Sequence, residues 1–265
     1  MIPQIIHFCW FGKSKKPKTV KLCLATWKQH FPNFQIIEWN EKNTDLTLPF
    51  VRQAYKLKKW AFVSDFVRLK ALYDSGGIYL DTDMFVLKSF DELLKNKCFY
   101  GAEDLNFISC GIIGTEKNHF FIKKIMEFYL NFQFSKEVNL GMNTIPRITT
   151  KIFRDHFNYN ENFFKIVNYN DIIIYPSEFF YAFPYNEIDN IINFKDYVKP
   201  ESYAVHLWNS SWVEHSEFYY LRKRKYIMGF KIIIKNIFYN KNFDQFYFKK
   251  ILLSIKESLI KGNKY

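Results

Sequence analysis

Two aspartates one residue apart, in Gly76-Gly77-Ile78-Tyr79-Leu80-Asp81-Thr82-Asp83, are the first feature of this sequence that can do chemistry. Paired carboxylates can share a hard divalent cation, or one can hold the cation while the other fixes a polar ligand. Such a cation completes its shell with water and phosphate oxygens and offsets charge that develops on a departing phosphate. A bare pair of this kind carries little weight, because acidic pairs on surfaces are common. Upstream, Asp65 and Arg68 stand three apart, which puts them on one face of a helix. They read either as a local ion pair worth about 0.2–0.5 kcal/mol, or as an arginine that steadies phosphate or sugar oxygens while Asp65 orients it or accepts hydroxyls. Downstream, Glu103 and Asp104 read as a solvated acidic turn or as carboxylates lining a pocket. His206, taken alone, reads as a satisfied histidine at a strand end, with Trp208 and Trp212 as core residues.

Particular elements must hold these groups. Residues 60–75 carry apolar side chains at helical spacing, and Gly76-Gly77 is a strong C-terminal stop. Residues 78–80 then form a short buried strand that delivers Asp81 and Asp83 to its carboxyl end, where open α/β sheets bind ligands. If the strand stays regular, residues two apart share a face. Residues 3–10, 19–30 and 34–39 read as strand, helix and strand, an order that predicts a parallel α/β sheet. Further strands are expected at 85–87, 99–102, 107–113, 172–175 and 203–207, and helices at 91–95, 118–134 and 144–156. Neither an internal repeat nor a Gly/Ser linker is present.

Composition narrows the classes. With 265 residues, 48% of them hydrophobic, the chain suits one sizeable α/β domain with a small appendage. No apolar run is long enough to span a bilayer, and the start lacks a basic leader region, so neither export nor a membrane span is expected. Cys9, Cys23, Cys98 and Cys110 show no zinc-type spacing and suit buried thiols in a reducing compartment. The net charge of +12 is concentrated: residues 216–265 hold twelve Lys or Arg against Glu217, Asp244 and Glu257, which is +9. An abundance of Lys, Asn, Ile, Phe and Tyr also fits the usage of an AT-rich genome, which raises charge without implying a partner.

Four segments occur in a familiar order: Ile6-His7-Phe8-Cys9-Trp10-Phe11-Gly12, Ala61 to Arg68, Gly76 to Asp83, and His206-Leu207-Trp208-Asn209-Ser210-Ser211-Trp212. They resemble glycosyltransferase family 32, the sugar-binding DXD transferases, and more distantly the glucosylating domain of large clostridial toxins. The resemblance implies an α/β GT-A fold, Rossmann-like and nucleotide-sugar-binding, over residues 1–213; the tail at 214–265 carries none of its motifs, and its helical, basic pattern and the lack of a Gly/Ser linker lead us to expect it packed on the core. It also implies a nucleotide-sugar donor, with a UDP-sugar favoured, Mn2+ or Mg2+, and retention of anomeric configuration. Carried over by residue, Trp10 frames the nucleotide base, Asp65 and Arg68 contact the donor sugar, and Asp81 contacts ribose and sugar, with Tyr79 beside it. Asp83 is the direct metal ligand, joined by His206 and, in the wider set, Asp81. Asn209, Ser211 and Trp212 close over the diphosphate. Cys110 departs from the pattern, which has an asparagine there, and leaves the acceptor side open; Glu103 and Asp104 are its candidates.

The expected role is transfer of a sugar to a hydroxyl of a glycan or lipid-linked glycan in surface polysaccharide or lipooligosaccharide synthesis. In the tail, Arg222-Lys223-Arg224-Lys225 precedes Tyr226, Ile227, Phe230, Ile233, Ile234, Ile237 and Phe238, with Lys231 and Lys235 between them. This amphipathic pattern suits either an anionic membrane surface, for a cytoplasmic protein peripheral on the inner face, or ordinary packing with solvated lysines. Three rivals stand beside the transferase. A non-catalytic binding module of the same fold would bind donor without turnover, against which the intact DxD, Asp65 and Arg68 speak. A nucleic-acid binder is disfavoured because the aromatics lie in core-like segments and no such motif appears, so no nucleic-acid partner is expected. A toxin-like protein glycosyltransferase would need delivery segments that the chain does not display.

Overall fold

A computed structural model of the chain describes residues 1–132, 143–208, 217–238 and 244–260, in two compact units, Met1–Asn209 and Ser210–Tyr265. The first unit is built on a seven-stranded sheet in the order β2-β1-β3-β6-β5-β8-β7. Its strands are β1 (Ile5–Cys9), β2 (Gln35–Trp39), β3 (Gly77–Leu80), β5 (Cys98–Ala102), β6 (Ile108–Thr115), β7 (Val167–Tyr169) and β8 (Ile172–Tyr175). Helix α1 (Lys18–His30) connects β1 to β2, which pair in parallel, and β3 lies parallel to β1 on its other side. The parallel pairing expected from the first strand, helix and strand is present there, and further along the sheet is mixed: β6 runs antiparallel to both β3 and β5, and β7 antiparallel to β8. The β5–β6 reversal is made by the short loop 103–107 and the β7–β8 reversal by Asn170 and Asp171, whereas the antiparallel β3–β6 pairing joins strands far apart in sequence.

Period-two alternation sorts the strand side chains between two layers. Ile78 and Leu80 of β3, with Ile6 and Phe8 of β1, pack beside Trp27 of α1 on one face. Tyr79 and Cys9 point to the other face, which is covered by α2 (Pro49–Lys56), α3 (Trp60–Ser75), α4 (Phe120–Asn131) and α5 (Ile145–Phe157). All four cysteines are free and buried. Helix α2 carries no cap signal other than Pro49 at its start, and it was not expected from the sequence.

Helix α3 is buried on nearly every side, so its polar residues Asp65 and Arg68 lie inside the protein. Its C-cap Gly76 (φ 66°) and the following Gly77 (φ 104°) take left-handed backbone conformations that return the chain directly into β3. A Cβ on Gly77 would fall 2.6 Å from the Ile5 carbonyl oxygen, so only glycine allows β3 to close on β1. Beyond β3, strand β4 (Met84–Val86) leaves the main sheet and pairs antiparallel with β9 (Ala204–His206) in a two-stranded sheet. Helix α1 anchors this ribbon: Trp27 Nε1 donates to the Met84 carbonyl oxygen at 2.7 Å, and the Val86 amide donates to Thr26 Oγ1 at 3.1 Å.

The second unit contains α6 (Glu217–Arg222), α7 (Tyr226–Phe238) and α8 (Gln245–Ile260) around a small cluster of Leu221, Ile233, Tyr247 and Ile251.

Candidate active site

Because β1, β3 and β5 share one direction, their carboxyl ends bring Trp10, Asp81 and Glu103 to one edge of the sheet. The chain passes from β1 to β2 on one side and to β3 on the other, so this edge includes the point where strand order reverses. Asp81, Thr82 and Asp83 do not continue the strand as expected. They form a turn in which the Met84 amide donates to the Asp81 carbonyl oxygen at 3.0 Å, carrying the chain from the main sheet into β4. The two carboxylates therefore converge through the turn and not through strand alternation.

Asp83 meets His206 because of register. Met84 pairs with His206, and the Leu207 amide donates to the Asp83 carbonyl oxygen at 3.0 Å, extending the ribbon by one residue. His206 Nε2 lies 3.0 Å from Asp83 Oδ1, with both side chains mostly buried. Burial works against charge on His206, but the carboxylates of Asp83, Asp81 and Glu103 together outweigh it and hold the imidazole pKa above its ordinary value. Asp81, Asp83 and His206 each present one ligand atom within 4.8 Å of the others. The His206 Nδ1 atom is buried and has no hydrogen-bond partner.

The two oxygens of Asp81 face different surroundings. Oδ1 accepts from Tyr79 Oη at 3.0 Å and lies 3.4 Å from Arg68 Nη1. Arg68 in turn donates from Nη1 to the Cys110 carbonyl oxygen at 2.6 Å, pairs through Nη2 with Asp65 Oδ1 at 3.0 Å, and stacks 4.5 Å above the Tyr79 ring. Arg68 and Asp65 are each only 5% exposed, so their contact is a buried ion pair and not a surface helix pair. Burial opposes charge on Arg68, and the carboxylates of Asp81 and Asp65 overcome it and keep the guanidinium protonated. The same burial pushes the Asp65 carboxyl up to about 7 against the pull of Arg68. Tyr79 is thereby placed behind Asp81, with its ring in the core.

Oδ2 of Asp81 turns toward Gly111 and Tyr181: a Cβ on Gly111 would lie 2.9 Å from that oxygen and 2.9 Å from Tyr181 Oη. Any larger residue would push them apart. Tyr181 was not a candidate from the sequence, because it sits in an aromatic run, Phe179-Phe180-Tyr181-Ala182-Phe183, with no polar pattern. Its buried hydroxyl faces Asp81, Glu103 and Ser109 and completes no hydrogen bond, and its ring centroid is 5.5 Å from that of His206. The Cys110 side chain points the other way, its Sγ 3.3 Å from Thr149 Oγ1, so only its carbonyl serves this edge.

Glu103 and Asp104 separate. Asp104 is exposed and accepts from the amides of Asn106 and Phe107, at 2.7 and 2.9 Å, in a tight turn. Glu103 is half-buried beside Ser109 and His206, and burial, reinforced by Asp104, pushes its carboxyl up to about 7. Between the ordinary 4.5 and about 7 the folded protein binds more protons at Glu103 than the unfolded chain does, so this group lowers stability as pH rises through that window. Glu103→Gln is therefore expected to raise the melting temperature at pH 8 and to leave it nearly unchanged at pH 4, measured by thermal unfolding. An equal shift at both pH values would contradict the assignment.

Trp10, one residue past β1, is half-buried, donates from Nε1 to the Ser14 carbonyl oxygen at 2.8 Å, and has Lys16 Nζ 5.6 Å from its ring centre. Trp208 packs against His206 at 4.2 Å between ring centroids. Asn209, Ser211 and Trp212 lie outside the described residues.

Two family models match the chain: the glycosyltransferase sugar-binding region containing the DXD motif over residues 17–100, and the alpha 1,4-glycosyltransferase conserved region over residues 114–227. Together they include Asp65, Arg68, Asp81, Asp83, Tyr181 and His206. The chain is similar to uncharacterized glycosyltransferase L373 of Acanthamoeba polyphaga mimivirus, 29% identical over 81% of this chain and 85% of that protein. It is 27% identical to lactosylceramide 4-alpha-galactosyltransferase of Mus musculus over 56% of this chain, spanning only 40% of the mouse protein. Among solved structures, the PaToxG glycosyltransferase superposes with a TM-score of 0.49 at 19% identity, over 59% of this chain and 70% of that one. Over its two matched regions the chain is similar to glycosyltransferases, and to those whose sugar-binding region carries the DXD motif over the stretch that holds Asp81 and Asp83.

Proposed function

We propose that the chain is a retaining, metal-dependent hexosyl- or N-acetylhexosaminyltransferase that moves a sugar from a nucleotide-sugar donor, a UDP-sugar being favoured, to a hydroxyl of a glycan or lipid-linked glycan. The observation that carries this reading is the convergence of Asp81, Asp83 and His206 at the sheet edge. The donor set fits a divalent cation: two carboxylates supply hard oxygens, and the buried imidazole turns Nε2 toward Asp83, each residue offering a ligand atom within 4.8 Å of the others. One imidazole beside the carboxylates favours Mn2+ over Mg2+. When bound, the cation supplies positive charge against the departing diphosphate.

The chain's own residues divide the remaining work. Arg68 and Tyr79 fix Asp81 Oδ1, which leaves Oδ2 to face the ligand side near Gly111 and Tyr181. Trp10 frames the nucleotide base from the end of β1. Glu103 and Ser109, next to Tyr181 on that side, are where we assign orientation of an acceptor hydroxyl. No carboxylate is placed clearly as a nucleophile, so we assign same-face attack. The acceptor oxygen bonds to the anomeric carbon as the bond to the diphosphate breaks, and the hydroxyl proton passes to a departing phosphate oxygen. Retention is supported by the printed name of the mouse relative, which specifies an alpha linkage, the configuration obtained when an α-linked nucleotide sugar is transferred with retention.

The same name includes a glycolipid, lactosylceramide, which supports a lipid-linked acceptor. Surface polysaccharide or lipooligosaccharide synthesis, by a cytoplasmic protein at the inner face of the membrane, is the setting we assign. The test is hydrolysis of a panel of UDP- and GDP-sugars by the purified chain, with Mn2+ and after chelation. We expect at least one UDP-sugar to turn over with Mn2+ and to stop turning over with chelator. Failure of every donor, or turnover indifferent to chelation, would overturn the reading.

A further inference from the structure

The C-terminal unit has its apolar side chains distributed the wrong way round for a bundle surrounded by water. Among the described residues its inner cluster buries Leu221, Ile233, Tyr247 and Ile251, with Phe218, Tyr226, Ile237 and Ile255 partly buried against them. Polar contacts close that interior: Asn236 Nδ2 donates to Glu217 Oε1 at 3.2 Å and to Tyr247 Oη at 3.3 Å, and Tyr226 Oη lies 2.9 Å from Ser258 Oγ. Outside it, α7 shows a second apolar face. Ile227, Phe230, Ile234 and Phe238 follow helical spacing and are all exposed, Ile227 by 77% and Phe238 by 73%, opposite the buried Gly229 and Ile233. The sequence suggested one apolar stripe with solvated lysines; the helix is apolar on both sides.

Helix α8 repeats the arrangement. Phe246, Lys249, Leu253 and Lys256 form one exposed stripe, and Phe248, Leu252 and Leu259 form the next, with Phe246 exposed by 78% and Leu252 by 68%. Rows of large apolar side chains exposed along a helix face, as on α7 and again on α8, mark an interaction site. On both helices lysines border it, Lys231 and Lys235 on α7 and Lys249 and Lys256 on α8, and their stems can lie along apolar surface while the ammonium reaches outward. No helix among the described residues is long and apolar enough to cross a membrane.

We infer that these faces of α7 and α8 dock the protein on an anionic phospholipid bilayer, lying in the interface with the aliphatic and Phe side chains inserted and the lysines at the phosphate level. Charge selects this occupant. A second copy would bring like charge against the lysines, which opposes association. A nucleic acid would be met by aromatic stacking platforms, whereas Ile and Leu share the exposed faces with Phe here. The inference rests on the lipid-linked acceptor proposed above only for its purpose. Binding itself needs neither donor nor transfer, so the two readings fail separately.

The test is co-sedimentation of the full chain with vesicles of phosphatidylcholine alone or with about one third phosphatidylglycerol. The wild type is expected to pellet only with the anionic vesicles, and less at high salt. Each of Lys231→Gln, Lys235→Gln and Lys249→Gln should lower partitioning about 5-fold. The triple variant Phe238→Ser, Phe246→Ser and Leu252→Ser should lower it at least about 10-fold while leaving melting temperature and donor hydrolysis unchanged. Absence of pelleting at low salt, or variants that pellet like the wild type, would overturn the inference. So would a wild type that ignores vesicles but sediments as an oligomer dispersed by the triple variant, which would make the face a contact between copies. A large drop in melting temperature for the triple variant would instead show the face to be covered within the chain, and would overturn it equally.

Discussion

Asp83→Ala is expected to lower donor turnover by about 1,000-fold, equivalent to about 4 kcal/mol of transition-state stabilisation. The size follows from position. Asp83 is the carboxylate that meets His206 across the β4–β9 register, so its loss leaves Asp81 and His206 as an incomplete donor set. The deficit should fall chiefly on kcat, because the charge being stabilised develops as the diphosphate departs. Raising Mn2+ should recover little of it if the missing carboxylate is a ligand. Asp83→Asn, which keeps the shape and loses the charge, should fall near the alanine variant. A kcat within about 10-fold of wild type for Asp83→Ala would remove the metal role assigned to this residue.

Arg68→Leu is expected to be the most destabilising single change at the site, by about 3–5 kcal/mol, because it leaves Asp65 as a buried carboxyl without its partner. At about 2–4 °C per kcal/mol for a domain of this size, the melting temperature should fall by roughly 10 °C. Arg68→Lys should not restore it, since one ammonium cannot reach the Asp65 carboxylate, Asp81 and the Cys110 carbonyl together as the fork does. The double variant Asp65→Leu, Arg68→Leu removes both charges and should regain much of the stability, since a buried ion pair is often replaceable by apolar packing. Turnover should stay low in the double variant, because Asp81 Oδ1 has lost the guanidinium that orients it. If turnover returned with stability, Arg68 would be a structural strut with no part in placing Asp81. Urea unfolding and donor hydrolysis on the same preparations separate the two outcomes.

The parts of this protein legible in its sequence are those governed by short-range physics. Helical spacing in residues 60–75 and the Gly76-Gly77 stop are visible because capping and backbone freedom act within a few residues. The burial of β3 is visible as a continuous apolar run, and the strand delivers Asp81 to the sheet edge as expected. Helix α5 was anticipated at 144–156 and spans Ile145–Phe157, its period being clear. Glu103 and Asp104 show the limit of such reading: adjacent carboxylates look equivalent in sequence, yet one lines the candidate site and the other caps an exposed turn.

What the sequence determined by itself was the α/β class and the presence of a DxD pair after a buried strand, together with the residues that resemble the glycosyltransferases' donor machinery. Only the tertiary structure decided that Asp81 and Asp83 converge in a turn between two sheets, that His206 stands opposite Met84, and that Tyr181 and Gly111 border Asp81. The physical reason is that the registers of β4 on β9 and of β3 on β6 depend on pairing between segments distant in the chain, which no local period encodes. The same holds for Arg68, whose local spacing allowed a weak surface pair. Packing of α3 against the sheet made it a buried fork that holds Asp81.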